Sequence, residues 1–353
     1  MKRQELIGKL ETVAPALSNN DIIPICRSFW FTGDEVMAFD GYIAISVPFK
    51  TAFVGAVPGD TLLSLLKALS VPEVEIEQDG EAALVRGGKS RVKLAMQPAA
   101  HFNKMFTMPA SPTTALPCKG KELIDAMSLC MKSVSKDTTI PDQLGLTALS
   151  SSEYVTFYSS NDSTLSRAEV GLNSRIKLPK RAVLHAKFCK QFVSLASPKD
   201  QPKVEFGENH VMFAAPGGVR LFGALVESDK PLSYDEIFDR YHPASYEDNM
   251  TPIASKFNNI IERACIVAKT EAKTVRTRIT VKDGQAVFIT KTPLHEIKDQ
   301  MQVPNGHPSV SIEVNPKAIA EGLDGGAFDK MLMTNRCITL KNNTGYFLVA
   351  GNE

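Results

Sequence analysis

Apolar residues near the start of the chain fall at Leu6, Ile7, Leu10, Val13 and Leu17, the spacing of an amphipathic helix over Gln4–Leu17. A second segment of this kind, DTLLSLLKAL over Asp60–Leu69, reaches Thr61 56 residues after Glu5. The runs DIIPICRSFWF and EVMAFDGYIAISVPF between them read as strands. After the second helix, Val74 and Ile76 alternate with Glu73, Glu75 and Glu77. Asp79-Gly80 supplies a turn, and Val92, Leu94 and Met96 alternate in the return limb of a hairpin.

The pattern then recurs twice. KELIDAMSLCMKSV, Lys121–Val134, predicts a helix, and 60 residues after Glu122 a second begins over Ala182–Ala196. LGLTALSSSEYVTFYSS and LSRAEVGLNSRIKL lie between as strands, and KVEFGENHVMFAAPGGVRLFGALV follows as a hairpin. A third helix pair is predicted over Ser255–Lys269 and, 59 residues on from Phe257, over Pro316–Met331. TRITVKDGQAVFIT sits between these, and CITLKNNTGYFLVAG ends the sequence. Three units of helix, strands, helix, strands emerge, with joins near Pro109–Pro117 and Pro243–Pro252. The expected class is α+β, with domains at 1–112, 113–246 and 247–353, because strands and helices do not alternate as in a doubly wound sheet.

Composition narrows what such a protein does. No run of about eighteen apolar residues is present to span a membrane. The opening MKRQELIGKLETVAPAL carries Glu5 and Glu11 and lacks the apolar centre of a secretion signal. The six cysteines (Cys26, Cys118, Cys130, Cys189, Cys265, Cys337) form no CxxC pair, which argues against a metal and for reduced, buried thiols in a cytoplasmic protein. The net charge of +1 leaves any contact with nucleic acid to a local surface.

Candidate chemistry is sparse. Gly87-Gly88-Lys89-Ser90 resembles the end of a phosphate-binding loop, but the position of the loop's first glycine holds Ala83, and RVKLAM after it alternates like a strand. Gly87-Gly88 therefore reads as a hairpin turn. GxSxG, HExxH and GxGxxG are absent, the six histidines are scattered, and His185 is expected on a helix surface. No catalytic residue, metal site or cofactor is assigned, although triads assemble from distant residues and an enzyme with a dispersed site remains a second reading.

One stretch is uneven in charge. Between Arg175 and Lys199 lie Arg175, Lys177, Lys180, Arg181, Lys187, Lys190 and Lys199, with no acidic residue. Such a run is ordinarily a solvated helix face. As a phosphate-facing surface, joined by Lys132 and Lys136 from the preceding helix, it would give salt-sensitive, sequence-independent attachment to a duplex.

Taken together, the three repeated units with basic helices resemble the bacterial sliding clamp, the beta subunit of the replicative DNA polymerase, including phage- or plasmid-encoded relatives. LVRGGKSRVKLAMQPAAHF is similar to the family's first-domain hairpin with its P-A-A-x-F segment. SRIKLPKRAV resembles the middle-domain entry to its second helix, and FNNIIERACIVAKTEAKTVRTRITVKDGQAVFIT the start of the third domain. The resemblance implies a homodimeric ring of six such domains, helices inside and sheets outside. It would encircle double-stranded DNA and tether a DNA polymerase, with polymerase and clamp loader binding through short peptide motifs.

Residue by residue, the resemblance implies that Phe102 and Met105 close the ring against Ile266 and Val267, which equally fit the interior of their own domain. Arg91 and Lys93 would face Glu296 and Asp299 as a charge complement. Lys136, Lys180 and Arg181 match DNA-facing positions, and Lys132, Lys187 and Lys190 extend that surface. Leu165, Arg240, Tyr241, Phe347, Leu348 and Val349 match a partner-peptide cleft. The chain departs from the family in ending Ala350-Gly351-Asn352-Glu353 and in the loop SSNDSTL, which implies a partner with an altered peptide. A further reading is a clamp-like inhibitor of a host replication complex that never encircles DNA.

Overall fold

The computed structural model describes residues 1–20, 22–135, 139–270, 275–304, 307–325 and 328–352. Among them are eight α-helices: α1 (Arg3–Val13), α2 (Gly59–Ala68), α3 (Ala99–Met105), α4 (Gly120–Met131), α5 (Ala186–Leu195), α6 (Tyr234–Tyr241), α7 (Lys256–Ala268) and α8 (Pro316–Leu323). The chain divides into two compact units, one of residues 1–121 and 187–225, the other of 122–186 and 226–353.

The first unit is built on an antiparallel sheet in the order Lys203–Phe206, His210–Ala214, Arg220–Ala224, Ile43–Pro48, Glu35–Phe39, Ser28–Phe31, Gly55–Pro58. Leu6, Ile7, Leu10 and Val13 of α1 and Leu62 and Leu66 of α2 are buried, so the predicted stripes are the faces these helices lay down. A Lys67–Glu11 ion pair of 2.7 Å joins their solvent sides. A second, three-stranded sheet comprises Glu75–Asp79, Ala82–Gly87 and Ser90–Ala95. Gly88 turns the last two strands at φ 58°, and Gly87 pairs with Ser90, so the would-be phosphate loop is a hairpin turn.

Twelve strands among the described residues form the sheet of the second unit. Its main path runs Arg181–His185, Gly145–Ser150, Tyr154–Ser160, Thr164–Gly171, Gly345–Asn352, Val310–Val314, Thr277–Lys282, Gln285–Lys291, Glu296–Gln302. Thr277–Lys282 and Gln285–Lys291 are joined by Asp283 at φ 50° and Gly284 at φ 74°, a tight hairpin turn. α7 buries Phe257, Ile260, Ile261, Ala264, Cys265 and Ala268, and packs beside α8. Each fully buried Ile or Phe of such a stripe contributes about 1.5–3 kcal/mol. Asn315 caps α8 by accepting from the Lys317 N–H at 3.0 Å, and Pro316 occupies the first helical position.

Strand pairing runs far across the sequence in both units. Arg220 pairs with Ser46 in the first, and Leu165 with Leu348 in the second. The middle third of the chain therefore adds strands to both sheets.

Several expected elements are corrected. Residues 181–185 are not helical but a strand paired with Gly145–Leu149, so α5 begins at Ala186 and His185 ends a strand, half-buried. The helix expected to reach Met331 stops at Leu323, with Gly325 at φ 63° beyond it, and Lys330–Met333 is a strand. Strand structure in 165–178 ends at Gly171. α3 and α6 were not anticipated.

Candidate functional site

The cations of the basic stretch divide into two kinds. Arg181 donates to the Asp142 carboxylate at 2.8 Å and to the Leu232 carbonyl at 3.3 Å, and the Asp142 side chain has no exposure. Lys187 is paired with the buried carboxylate of Asp40 and lies 5.4 Å from the centre of the Tyr42 ring. Lys132 donates to the carbonyls of Glu321, at 3.0 Å, and Asp324, so its ammonium caps the C-terminal end of α8. Burial lowers the pKa of this lysine, against the opposing pull of Asp324 and Glu321. These three side chains are committed to the fold. Lys180 and Lys190 are exposed and make no ion pair among the described residues. Lys136 lies outside the described residues.

Of the residues matched to a ring joint, Phe102 is 1% exposed and stacks on Trp30 at 4.8 Å and 19°. It belongs to the core that Ile25, Cys26 and Met37 build. Met105, three residues on, is 40% exposed and takes a 3.5 Å contact from the Cys26 thiol. Ile266 on α7 is 64% exposed, while Val267 is half-buried. Arg91 and Lys93 are exposed on Ser90–Ala95, the outer strand of its sheet, with Lys93 3.1 Å from Asp79. Glu296 and Asp299 stand on Glu296–Gln302, the terminal strand of the other sheet. Glu296 pairs with Lys291 at 3.2 Å, and Asp299 takes both Nε and Nη2 of Arg263, at 3.1 and 2.8 Å. Among the described residues each of these strands is paired in its sheet on one side, and just past Ala95 residue Gln97 bridges Ala56 of the neighbouring sheet.

The residues matched to a peptide cleft are split by the alternation of a strand. Leu165 and Leu348 face each other across paired strands and share a cluster with Tyr158, Tyr234, Phe238 and Cys337, on which Tyr241 packs half-buried. Phe347 points the other way: a Cβ on Gly322 of α8 would meet its ring at 2.4 Å. Val349, two residues on, shares that face and is fully buried. Phe347 and Val349 are thus core residues, which corrects their placement in a cleft. Arg240 is exposed near the end of α6.

Sequence reasoning missed the polar groups around this cluster. Arg167 Nε donates to the Tyr158 hydroxyl at 3.0 Å, and its guanidinium lies 5.1 Å from the Phe238 ring centre. The Tyr158 hydroxyl donates to Asp235 at 2.5 Å; burial first, then this hydrogen bond, raises its pKa. Glu247 gathers Lys341, the Tyr346 hydroxyl at 2.6 Å and His242 Nε2 at 3.0 Å. Burial would raise the Glu247 pKa, but these three donors overcome it and hold it at about 2. Tyr234, Phe238 and Tyr241 at i, i+4 and i+7 were the signal for α6, obscured by the acids between them.

Among the described residues no group of three or more His, Cys, Asp or Glu is placed to hold a metal ion, and no helix is long and apolar enough to cross a membrane.

No protein-family model matches the chain, and no curated protein matches it in sequence. Solved structures do match. The DNA polymerase III beta chain of Streptococcus pneumoniae is similar at a TM-score of 0.84 and 15% identity, covering 100% of this chain and 98% of that one. The beta subunit of Thermotoga maritima gives 0.82 at 16% identity, with 100% and 98% covered. The DNA polymerase sliding clamp of Bacillus subtilis gives 0.80 at 15% identity, again with 100% and 98% covered. From end to end, the chain has the fold of the bacterial DNA polymerase sliding clamps.

Proposed function

We propose that this chain is a DNA sliding clamp: a processivity factor that encircles duplex DNA as a head-to-tail homodimer and tethers a DNA polymerase without chemistry of its own. The observation that carries the reading is the match of the whole chain, neither a fragment nor one domain, to clamp structures. Three clamp domains, 1–112, 113–246 and 247–353, make up each protomer, the middle one bonded to its neighbours through continuous sheets.

Two features support closure into a ring. Ser90–Ala95 and Glu296–Gln302 each lie at one end of their sheet, and antiparallel pairing between protomers would cover both. Arg91 and Lys93 on one edge oppose Glu296 and Asp299 on the other, and exposed Met105 and Ile266 supply apolar contact beside them. Of the matched cations among the described residues, Lys180 and Lys190 are exposed and outside any ion pair, and they would give the loose, sequence-independent hold that sliding requires. Polymerase and loader would dock by short peptides beside Leu165, Leu348 and Tyr241. A replication factor of this kind works in the cytoplasm.

The test is topological. Met105→Cys and Ile266→Cys protein is assembled around a nicked circular plasmid and closed with a bismaleimide. The expected result is protein that stays with the circle through gel filtration in high salt and is released by cutting the DNA once. Release before cutting, or cross-linking confined to single protomers, would overturn the proposal.

A further inference from the structure

The chain has twelve methionines, all among the described residues, and only Met1 and Met105 are exposed, at 42% and 40%. Met105 differs from Met1 in what lies beneath it. α3 ends at Met105, and Phe102, one turn earlier, pins that helix to Trp30 by ring stacking. Met105 is thereby set over Cys26, which is 3% exposed in the turn before Ser28–Phe31. The Cys26 thiol donates to the Met105 thioether sulfur at 3.5 Å. Burial first, then the charge of Asp40, raises the Cys26 pKa, so the thiol keeps its proton and acts as a donor, not a nucleophile. A thioether sulfur carries two lone pairs, one on each side of its C–S–C plane. Cys26 occupies one of them from the protein side, which leaves the other for a reagent arriving from solvent.

We propose that Met105 is a modification site for peroxides, oxidised to a single sulfoxide epimer, and that the sulfoxide keeps protomers apart. The second half rests on the clamp reading, which places Met105 beside Ile266 of another protomer; the first half does not. In the reaction the thioether sulfur attacks one peroxide oxygen, an S–O bond forms and the O–O bond breaks. The departing hydroxide takes the proton of the transferred hydroxyl and leaves as water. Sulfur gives up two electrons and the peroxide gains them. The product places a polar oxygen where the joint needs an apolar contact, and reductases that act on methionine sulfoxide reverse it. A closed joint would cover Met105, so the oxidant acts on the free protomer and the modification holds it in that state.

The test treats the full chain, at high dilution, with hydrogen peroxide, then alkylates and digests it for mass spectrometry. Portions of the digest receive one or other of the two methionine sulfoxide reductases, each of which acts on one epimer. The expected result is that one enzyme reduces the Met105 sulfoxide at least about tenfold more completely than the other. The Met1 sulfoxide in the same digest, with no thiol against it, is reduced alike by both. Cys26→Ala, checked by its melting curve, should give Met105 the Met1 pattern, and Met1 supplies the comparison even if that variant does not fold. Equal reduction of Met105 by both enzymes, oxidation of Cys26 ahead of Met105, or an unchanged preference in folded Cys26→Ala overturns the site. Light scattering over a dilution series reads the joint. Peroxide should raise the wild-type dimer dissociation constant about tenfold or more, the matching reductase should restore it, and the value for Met105→Leu should not move with peroxide. A wild-type dimer that withstands full oxidation of Met105 sinks this inference alone, while a wild type that never dimerises sinks the clamp reading beneath it.

Discussion

The guanidinium of Arg181 stands 2.8 Å from the carboxylate of Asp142, a side chain fully removed from solvent. The same Asp142 oxygen accepts the Leu232 N–H at 2.5 Å, so one carboxylate ties the start of a strand to the segment that leads into α6. Removing Arg181 leaves a buried charge without its partner cation, the costly way to break such a pair. Arg181→Ala is expected to lower the unfolding free energy by about 3 kcal/mol in urea titrations. An R181A/D142N double variant should recover part of the loss, because the stranded charge is then gone.

Under the clamp proposal, exposed Lys180 and Lys190 would meet the phosphates of the duplex. Lys180→Glu with Lys190→Glu is expected to leave the melting temperature within error. Its attachment to DNA should weaken alike for every sequence, and the slope of log K against log salt should shrink by about 0.9 for each phosphate no longer neutralised. Fluorescence anisotropy on two unrelated duplexes over a salt series checks this, and a strong sequence dependence would contradict a phosphate role.

The fate of Arg181 marks where the sequence stops being informative. Periodicity located α1, α2, α4 and α7 to within a few residues of their ends, because each buries an apolar stripe that spacing alone reveals. Glycine chemistry located the turns at Gly80 and Gly88, both at positive φ. Ion pairing leaves no such trace: Lys180 and Arg181 are neighbours in a basic run, yet one is solvated and the other bonded to an aspartate 39 residues away. Nor does a run such as Phe347-Leu348-Val349 tell which residues share a face until strand register fixes Leu348 opposite Leu165. α6 escaped notice because its eight residues give barely two turns and half of them are charged.

Gly345 faces the Arg167–Ala168 backbone so closely that a Cβ would lie 2.1 Å from the Arg167 carbonyl oxygen. The obstacle is main chain in a paired strand, so no side-chain rotation relieves it. Gly345→Ala should force apart Thr164–Gly171 and Gly345–Asn352 and cost several kcal/mol, about the scale of other core disruptions. A thermal melt that matches wild type would show that the strands yield more easily than this geometry allows.

The Glu247 cluster sets an acid limb for stability. Burial works to raise the Glu247 pKa, but hydrogen bonds from Lys341, Tyr346 and His242 depress it from 4.5 to about 2. The unfolded chain therefore takes up a proton first. The stabilisation is present above about pH 4.5 and is lost as pH falls towards 2. His242 adds to the same trend from higher pH. Burial lowers its pKa below 6.5 and Glu247 opposes that, so the unfolded state again binds protons first and stability falls as pH drops below 6.5. Glu247→Gln should be less stable than wild type at pH 7, with a flatter loss between pH 5 and 2, in melting curves taken across that range.

Phe102 and Ile266 come from one proposed joint but call for opposite experiments. Phe102 is buried on Trp30 within its own unit, so Phe102→Ala removes about 3–5 kcal/mol of folding energy and says little about assembly. Ile266 is 64% exposed on α7, where a charged side chain meets only water in the free protomer. Ile266→Asp should therefore keep the wild-type melting curve of the monomer while placing an unpaired carboxylate in an apolar contact between protomers. Light scattering over a dilution series is expected to show a dimer for wild type and a monomer for I266D, a shift of at least about tenfold in the dissociation constant, or 1.4 kcal/mol. If I266D dimerises as tightly as wild type, the head-to-tail joint is not at α7.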